Sequence, residues 1–390
     1  MVAPGPFFVD RGFGVVVYEQ SRALQKRGVD VEVVCYPSGR DVPELTVHRT
    51  LPLPGYDASR IGPSLWRLPL WVLLLFKTWR VVGRTKPDVL HGHLHEGALI
   101  AAIVSRLTGV PWLFDFQGSL SLEIAEKSPL RPGSLPFRAV SVLERWIDRM
   151  APRILVKSVV MERDLEERFG LAPERVLRVM DGCDPDVFSP RTADPALRER
   201  LGIPAGATVI GYIGLLNEQQ GAARMLRAAA QVLPEYPGCH LLVMGYPVGE
   251  AQELARELCI LPRVTFTGRI DYALAPEYLA LCDLAVAPKV SRTEGNGKLY
   301  NYMSMALPVV AVDNPGNREI LGDDGYYARG ETPEGFARAI TAALEDRGQW
   351  RERGERLRRR LEERFTWAAV AARLVAAYRD IAPGPFAGHV

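Results

Sequence analysis

Short apolar runs alternate with amphipathic stretches along almost the whole chain, and this alternation limits the possible folds more than any other property of the sequence. In the first half the runs lie at 31–36, 88–91, 111–116, 153–158 and 176–180. In the second half they lie at 208–214, 240–245, 264–268, 284–289 and 308–313. Most are continuous, as parallel strands covered on both faces require. Intervening pieces such as 15–27 and 224–233 carry apolar residues at helical spacing. Alternation of this kind predicts a doubly wound α/β fold. The pattern runs through once, stops, and starts again.

A chain of 390 residues exceeds what one core normally supports, so two domains are expected. The seam falls in "FSPRTADPALRERLGIPAGAT" (188–208), where prolines and polar residues interrupt the alternation. The expected division is 1–188, 189–365, and a last helix over 366–382 that packs back on the first domain. The opening "VAPGPFF" reads as the end of a first strand and its glycine-containing loop. That strand is expected to be very short, or to have residues upstream of it.

A net charge of +2 argues against a nucleic-acid binder that works through a broad basic surface. The five cysteines are scattered without a CxxC pair, which points to a reducing, cytoplasmic setting. The N-terminus has no secretory pattern, and the longest apolar run, 70–76, is far shorter than the roughly 20 residues that span a bilayer.

In open parallel sheets, ligands bind beyond the carboxyl ends of the strands, and two such sheets place those ends across a cleft. Chemistry is therefore expected in "FFVDRGFGV", "HGHLHEG", "DFQGSLSLE", "GLLNEQQG" and "KVSRTEGNGK". The last puts Gly295, Asn296, Gly297 and Lys298 at a helix entrance, where free backbone N–H groups and the peptide dipoles favour an anion. Lys298 and Lys289 are two of only seven lysines in the chain. The alternative is a flexible surface loop with solvated lysines. The spacing is not that of a Walker A loop.

His91, His93 and His95 alternate, which on a strand would put them on one face like a metal comb. The blander alternative has His91 ending a strand and the other two lining a loop. With no carboxylate nearby except Glu96, no metal site is expected. The segment 63–84, "PSLWRLPLWVLLLFKTWRVVGR", is either a core helix with its cations in water or a basic amphipathic helix lying on an anionic membrane.

Taken together, the sequence resembles the family 4 glycosyltransferases over essentially its whole length. "RGFGVVVYEQSRALQKRGVDVEVV" resembles that family's opening glycine loop, helix and second strand. "MDGCDPDVFSP", "VIGYIGLL…G", "VTFTGRI…YLALCDLAVAPK" and "KLYNYMSMALPVVAVD…NREIL" resemble its later blocks. The resemblance implies the GT-B architecture: an acceptor-binding Rossmann-like domain, then a donor-binding one that takes a nucleotide diphosphate sugar.

Three departures stand out. The two glutamates that many members carry ahead of the "GLPVV" strand are Thr293 and Asn301 here, with Glu294 beside the first. The Gly-Arg…Lys-Gly diphosphate grip reads Gly214-Leu215…Gln220-Gly221. A histidine in the acceptor domain corresponds to Gln117.

The activity so implied is retaining hexosyl transfer to a hydroxyl acceptor on a glycan, a lipid-linked glycan or a small molecule. It involves no protein nucleophile, requires no cofactor or metal, and uses no nucleic acid. Glu294 and Lys298 would carry the chemistry. Gly214, Gln220, Gly221, Arg269, Lys289, Thr293, Gly295, Asn296, Gly297, Leu299 and Asn301 would hold the donor. Arg11, Gly12, Phe13, Gly14, His93, Glu96 and Gln117 would face the acceptor. Members with lipid-linked acceptors often use a helix like 63–84 for peripheral membrane contact. The missing cations and glutamates leave a second reading, a non-catalytic nucleotide- or sugar-binding homologue. A nucleotide-sugar epimerase or phosphorylase ranks behind both.

Overall fold

The structure is a computed structural model, and it describes residues 1–9, 12–53, 67–127, 131, 133–290 and 295–386. These fall into two compact units, one from 1–180 with Gly295 and 367–386, the other from 181–290 with 296–366.

The first unit contains β1 (Val2–Ala3), α1 (Gly12–Gln25), β2 (Glu32–Cys35), β3 (Thr46–Arg49), α2 (Arg67–Thr85), β4 (Leu90–His93) and α3 (Leu94–Thr108). Next come β5 (Trp112–Phe116), α4 (Leu120–Lys127), α5 (Leu135–Met150), β6 (Ile154–Val156), α6 (Val159–Phe169) and β7 (Val176–Arg178). The second unit contains α7 (Pro195–Arg200), β8 (Thr208–Ile213), α8 (Ala222–Glu235), β9 (Cys239–Met244), α9 (Gly249–Glu257), β10 (Val264–Phe266), α10 (Ala275–Leu279) and β11 (Leu284–Ala287). It continues with α11 (Lys298–Ser304), β12 (Val309–Val312), α12 (Pro315–Leu321), β13 (Tyr326–Ala328), α13 (Pro333–Glu345) and α14 (Trp350–Arg364). The last helix, α15 (Trp367–Ile381), returns to the first unit and packs against α1 and β5.

Both sheets are parallel throughout, in the orders β3-β2-β1-β4-β5-β6-β7 and β10-β9-β8-β11-β12-β13. In each, the order reverses once, between β1 and β4 and between β8 and β11. These are the points where chain connections diverge and leave a crevice at the strand ends. The central strands β5, β9, β11 and β12 are buried along their whole length, which explains their unbroken apolar runs.

The division falls between Met180 and Asp181 rather than at 188. Residues 181–188 pack with the second unit: Cys183 bridges to Thr366, and the Phe188 carbonyl accepts from Ser304 Oγ at 2.5 Å. The first strand is two residues long, buried, and paired on both sides. The fourth strand is displaced from the expected 88–91 to Leu90–His93, so His93 belongs to a strand and not to a loop.

Helix α2 buries Leu70, Leu74, Thr78, Val81 and Val82 against the first unit's core. Its outer face keeps Leu68, Val72, Phe76 and Trp79 exposed. Residues 63–66 lie outside the described residues. Among the described residues no helix is long and apolar enough to cross a membrane, and no disulfide joins the five cysteines.

Candidate active site

In the second unit the reversal point is lined by the ends of β8 and β11. Gly214 follows β8 with φ 143°, a backbone conformation that side-chain-bearing residues avoid. Lys298, the first residue of α11, reaches back to this turn. Its Nζ donates to Gln220 Oε1 at 2.9 Å and to the Tyr212 hydroxyl at 3.4 Å, and sits 4.4 Å from the centre of the Tyr212 ring. Lys289, just past β11, is buried nearby. Burial, reinforced by the charge of Lys289, holds the pKa of Lys298 well below the usual lysine value.

Gly221 opens α8 at φ 76°, and a Cβ there would lie 2.4 Å from the Pro288 carbonyl oxygen. The absence of a side chain is what lets the start of α8 touch the strand end that carries Lys289. Arg224 fastens the same contact, donating to the Pro288 and Glu331 carbonyls at 2.7 Å each.

The remaining donor-side residues divide. Asn296 is buried and donates to Asn317 Oδ1 at 3.1 Å, while its own Oδ1 has no hydrogen-bond partner among the described residues. Asn301 Oδ1 accepts from the Cys183 thiol at 3.4 Å. Arg269 packs over the Tyr246 ring at 5.8 Å, beyond the end of β9. Leu299 is a core residue whose amide already donates to the Asn296 carbonyl at 3.0 Å, and the Tyr300 amide is likewise bound to Gly297. Of the entrance amides expected to be free, that of Leu299 is thus consumed by a tight turn. Helix α11 is also only seven residues long, so its dipole contributes little and the lysines carry the positive potential. Thr293 and Glu294 lie outside the described residues.

In the first unit the reversal point brings Phe13 against His93, rings edge to face with centroids 6.1 Å apart. Gly12 starts α1, and Gly14 lets that helix approach the Val9 carbonyl, which a Cβ would meet at 2.7 Å. His93 is fully buried, stacks on His91 with centroids 4.3 Å apart, and lies 3.3 Å from Gln117 Nε2 through Nδ1. Both imidazoles face Asp115, each at 3.4 Å. Burial keeps both neutral, pushing His91 down to about 3. Asp115 is also fully buried. Burial would raise its pKa, but Lys157 at 3.0 Å and the two histidines outweigh that and hold it well below the carboxylate range. Gln20 donates to it as well, at 3.2 Å. Glu96, on the first turn of α3, is half-buried. Arg11 lies outside the described residues.

His95 parts company with the other two histidines. After His93 the chain turns sharply through Leu94 at φ 57° and enters α3, which carries His95 to Glu144 and Asp148 of α5. The three histidines therefore form neither a comb nor a loop lining. Two share Asp115 and one joins a separate acidic pair. Asp115, Lys157, Glu144 and Asp148 were not singled out from the sequence.

Two family models match the chain, "Glycosyl transferase 4-like domain" over residues 11–182 and "Glycosyl transferases group 1" over residues 207–346. The chain belongs to the group 1 glycosyltransferases. A D-inositol 3-phosphate glycosyltransferase of Thermobispora bispora is 27% identical, covering 95% of this chain and 90% of its own. A protein of the same description from Catenulispora acidiphila is 29% identical over 96% and 91%. Among solved structures, the sucrose-phosphate synthase of Thermosynechococcus elongatus superposes with a TM-score of 0.81 at 19% identity, covering 97% and 95% of the two chains. The Anabaena protein HepE in complex with UDP-glucose superposes at 0.75 with 16% identity, covering 97% and 98%. With these neighbours the two Rossmann-like units are those of a GT-B glycosyltransferase. In this group 1 glycosyltransferase the stretch that the sequence aligns with the family's diphosphate grip carries Gln220, and Lys298 donates to its side-chain oxygen.

Proposed function

We propose that this glycosyltransferase moves a sugar from a nucleoside diphosphate donor to a hydroxyl acceptor with retention of configuration. One observation carries the reading: Lys298 and Lys289 converge at the reversal point of the second sheet, and their proximity and burial depress the pKa of Lys298. A buried lysine beside a second lysine recovers its full charge most readily when an anion sits against it. A diphosphate has the charge and the size.

In this reading Lys298 and Lys289 hold the leaving diphosphate in place of the Arg/Lys pair. The glycosidic bond to the diphosphate oxygen breaks, and positive charge builds on the sugar. The acceptor oxygen then bonds the anomeric carbon from the same face and loses its proton to the departing phosphate. Preorganised positive charge at the diphosphate stabilises what accumulates there as the bond breaks. No cofactor or metal enters these steps. On the first unit, Phe13, His93 and Gln117 form the acceptor-side crevice, with His93 serving as a neutral hydrogen-bonding group. The acceptor ranges over polyol phosphates, suggested by the relatives' description, and lipid-linked glycans, suggested by the outer face of α2.

The test is a binding and turnover panel with the purified full chain. UDP, GDP and ADP are titrated by calorimetry, then their glucose conjugates are supplied with D-inositol 3-phosphate as the first acceptor. Micromolar binding of one diphosphate, weakened roughly tenfold or more in Lys298→Ala, supports the reading. Binding that ignores Lys298 places the nucleotide elsewhere and ends it.

A further inference from the structure

We propose that His95, Glu144 and Asp148 form a divalent-cation site that clasps α3 to α5 inside the first unit. All three side chains are more than nine-tenths buried, and Glu144 and Asp148 are wholly so. Their positions follow from local structure: Glu144 and Asp148 are one helical turn apart on the inward face of α5, and His95 is the second residue of α3.

The ligand atoms have the spacing of a coordination shell. His95 Nε2 lies 3.3 Å from Asp148 Oδ1 and 3.8 Å from Glu144 Oε1, and one atom from each residue fits within 4.8 Å of the others. Ligands about 2.0–2.1 Å from a tetrahedral zinc ion stand roughly 3.3–3.4 Å apart. His95 Nε2 faces both carboxylates as an ion pair, while among the described residues Glu144 Oε1 and Asp148 Oδ2 are buried without a hydrogen bond. Buried polar atoms in such a state are costly unless something else occupies the space between them.

The surroundings orient the donors as second-layer groups do around metals. Glu144 Oε2 accepts from the Ser121 amide at 3.0 Å, which turns Oε1 towards His95. Arg168 donates to Ser121 Oγ at 2.6 Å and to Ser119 Oγ at 3.3 Å, and lies 3.8 Å from Glu144 Oε2. Phe114 and Phe116 box the imidazole edge to face at 5.1 and 5.3 Å. Arg168 is shared with Asp164 at 3.0 Å, so the cluster keeps an excess of negative charge. The neighbouring group of His91, His93 and Asp115 has similar donor spacing, but there the Lys157 ammonium already supplies the cation. An imidazole ligand selects zinc over magnesium or calcium. The clasp would also fix the segment holding Ser119 and Ser121, which follows Gln117.

The experiment strips the purified chain with a chelator, re-equilibrates it with Zn²⁺ alone or Mg²⁺ alone, and counts bound metal by mass spectrometry after gel filtration. About one zinc per chain, no retained magnesium, and a rise in Tm of roughly 5–10 °C at a hundredfold excess over Kd are expected. His95→Gln and Asp148→Asn should each abolish retention and the Tm rise. Wild-type chain without retained zinc overturns the proposal, and so does undiminished retention in both variants. Should the variants not fold, the X-ray absorption of the zinc-loaded wild type decides. A shell of one imidazole with carboxylate oxygens sustains the site, and a sulfur-containing shell overturns it.

Discussion

Lys298 and Gln220 meet end to end, with the ammonium donating to the amide oxygen across 2.9 Å beside the bare turn at Gly214. The contact seats the Lys298 ammonium on a neutral acceptor. It makes Lys298 the group whose loss a bound diphosphate would notice most. Lys298→Ala is expected to weaken nucleoside diphosphate binding by about 1.5–3 kcal/mol, the range for a charge-assisted bond, as read by calorimetry. Unchanged affinity would put the phosphates at another place on the second unit.

The lowered pKa of Lys298 gives a second, independent readout. Bound phosphate stabilises the ammonium, so binding should take up a proton, and affinity should fall as pH rises past the pKa of the free protein. Titrations in two buffers of different ionisation enthalpy would differ in apparent heat by the protons taken up. Identical heats would mean that Lys298 is fully charged before the ligand arrives.

Gly221 tests the local geometry instead of the charge. Alanine there must adopt φ 76° and place its Cβ 2.4 Å from the Pro288 carbonyl. The left-handed conformation alone costs roughly 1–2 kcal/mol. The clash adds to this, so Gly221→Ala should lower the urea stability of the second unit by at least about 2 kcal/mol. A neutral effect would show that the start of α8 can retreat from the strand end.

What could be read in advance follows the distance over which a signal acts along the chain. The buried strands announce themselves locally, so ten of them lie where the apolar runs predict, within a residue or two. β3 at a sheet edge and the three-residue β13 bury too few side chains to leave such a trace. The Gly297–Lys298 entrance was legible because its residues are neighbours in sequence. Asp115 and Lys157 are 42 residues apart and meet only when β5 and β6 pair. Glu144 and Asp148 look like the solvated charges of any surface helix until α3 covers them.

Asp115 should therefore matter more than its sequence context suggests. Replacing it by Asn leaves the Lys157 ammonium buried without its carboxylate, a loss of about 3–5 kcal/mol for a broken buried pair. Chemical denaturation at pH 7 would show it, and a loss below about 1 kcal/mol would mean that water reaches Lys157.

His91 sets the acid side of the first unit's stability. Its folded pKa of about 3 lies below the unfolded value of about 6.5, so above pH 6.5 both states are neutral and nothing is lost. Below 6.5 the unfolded imidazole takes a proton that the folded one refuses. Stability then falls by up to about 1.4 kcal/mol per pH unit until about pH 3. The groups facing it, His93, Asp115 and the Tyr378 hydroxyl, offer no second carboxylate to offset this. Between pH 6.5 and 5 the wild type should lose about 2 kcal/mol more than His91→Gln. Parallel pH profiles would show that His91 is protonated in the fold.

The outer face of α2 bears on where the enzyme works. Leu68, Val72, Phe76 and Trp79 are each more than half exposed and follow one another at helical spacing. Arg80 and Arg84 are exposed alongside them. Helix α2 packs on α3, and α3 on α5, whose Val142 and Trp146 are also exposed. Aromatic side chains interleaved with cations suit an anionic bilayer, where the rings enter the headgroup layer and the cations meet phosphates. Their removal costs the fold little, since the buried face of α2 supplies its packing. Phe76→Ser with Trp79→Ser should keep the Tm within about 2 °C while lowering affinity for phosphatidylglycerol vesicles by roughly tenfold or more. Phosphatidylcholine vesicles should bind either form poorly. Equal sedimentation of wild type and double variant with anionic vesicles would assign this face to something other than lipid.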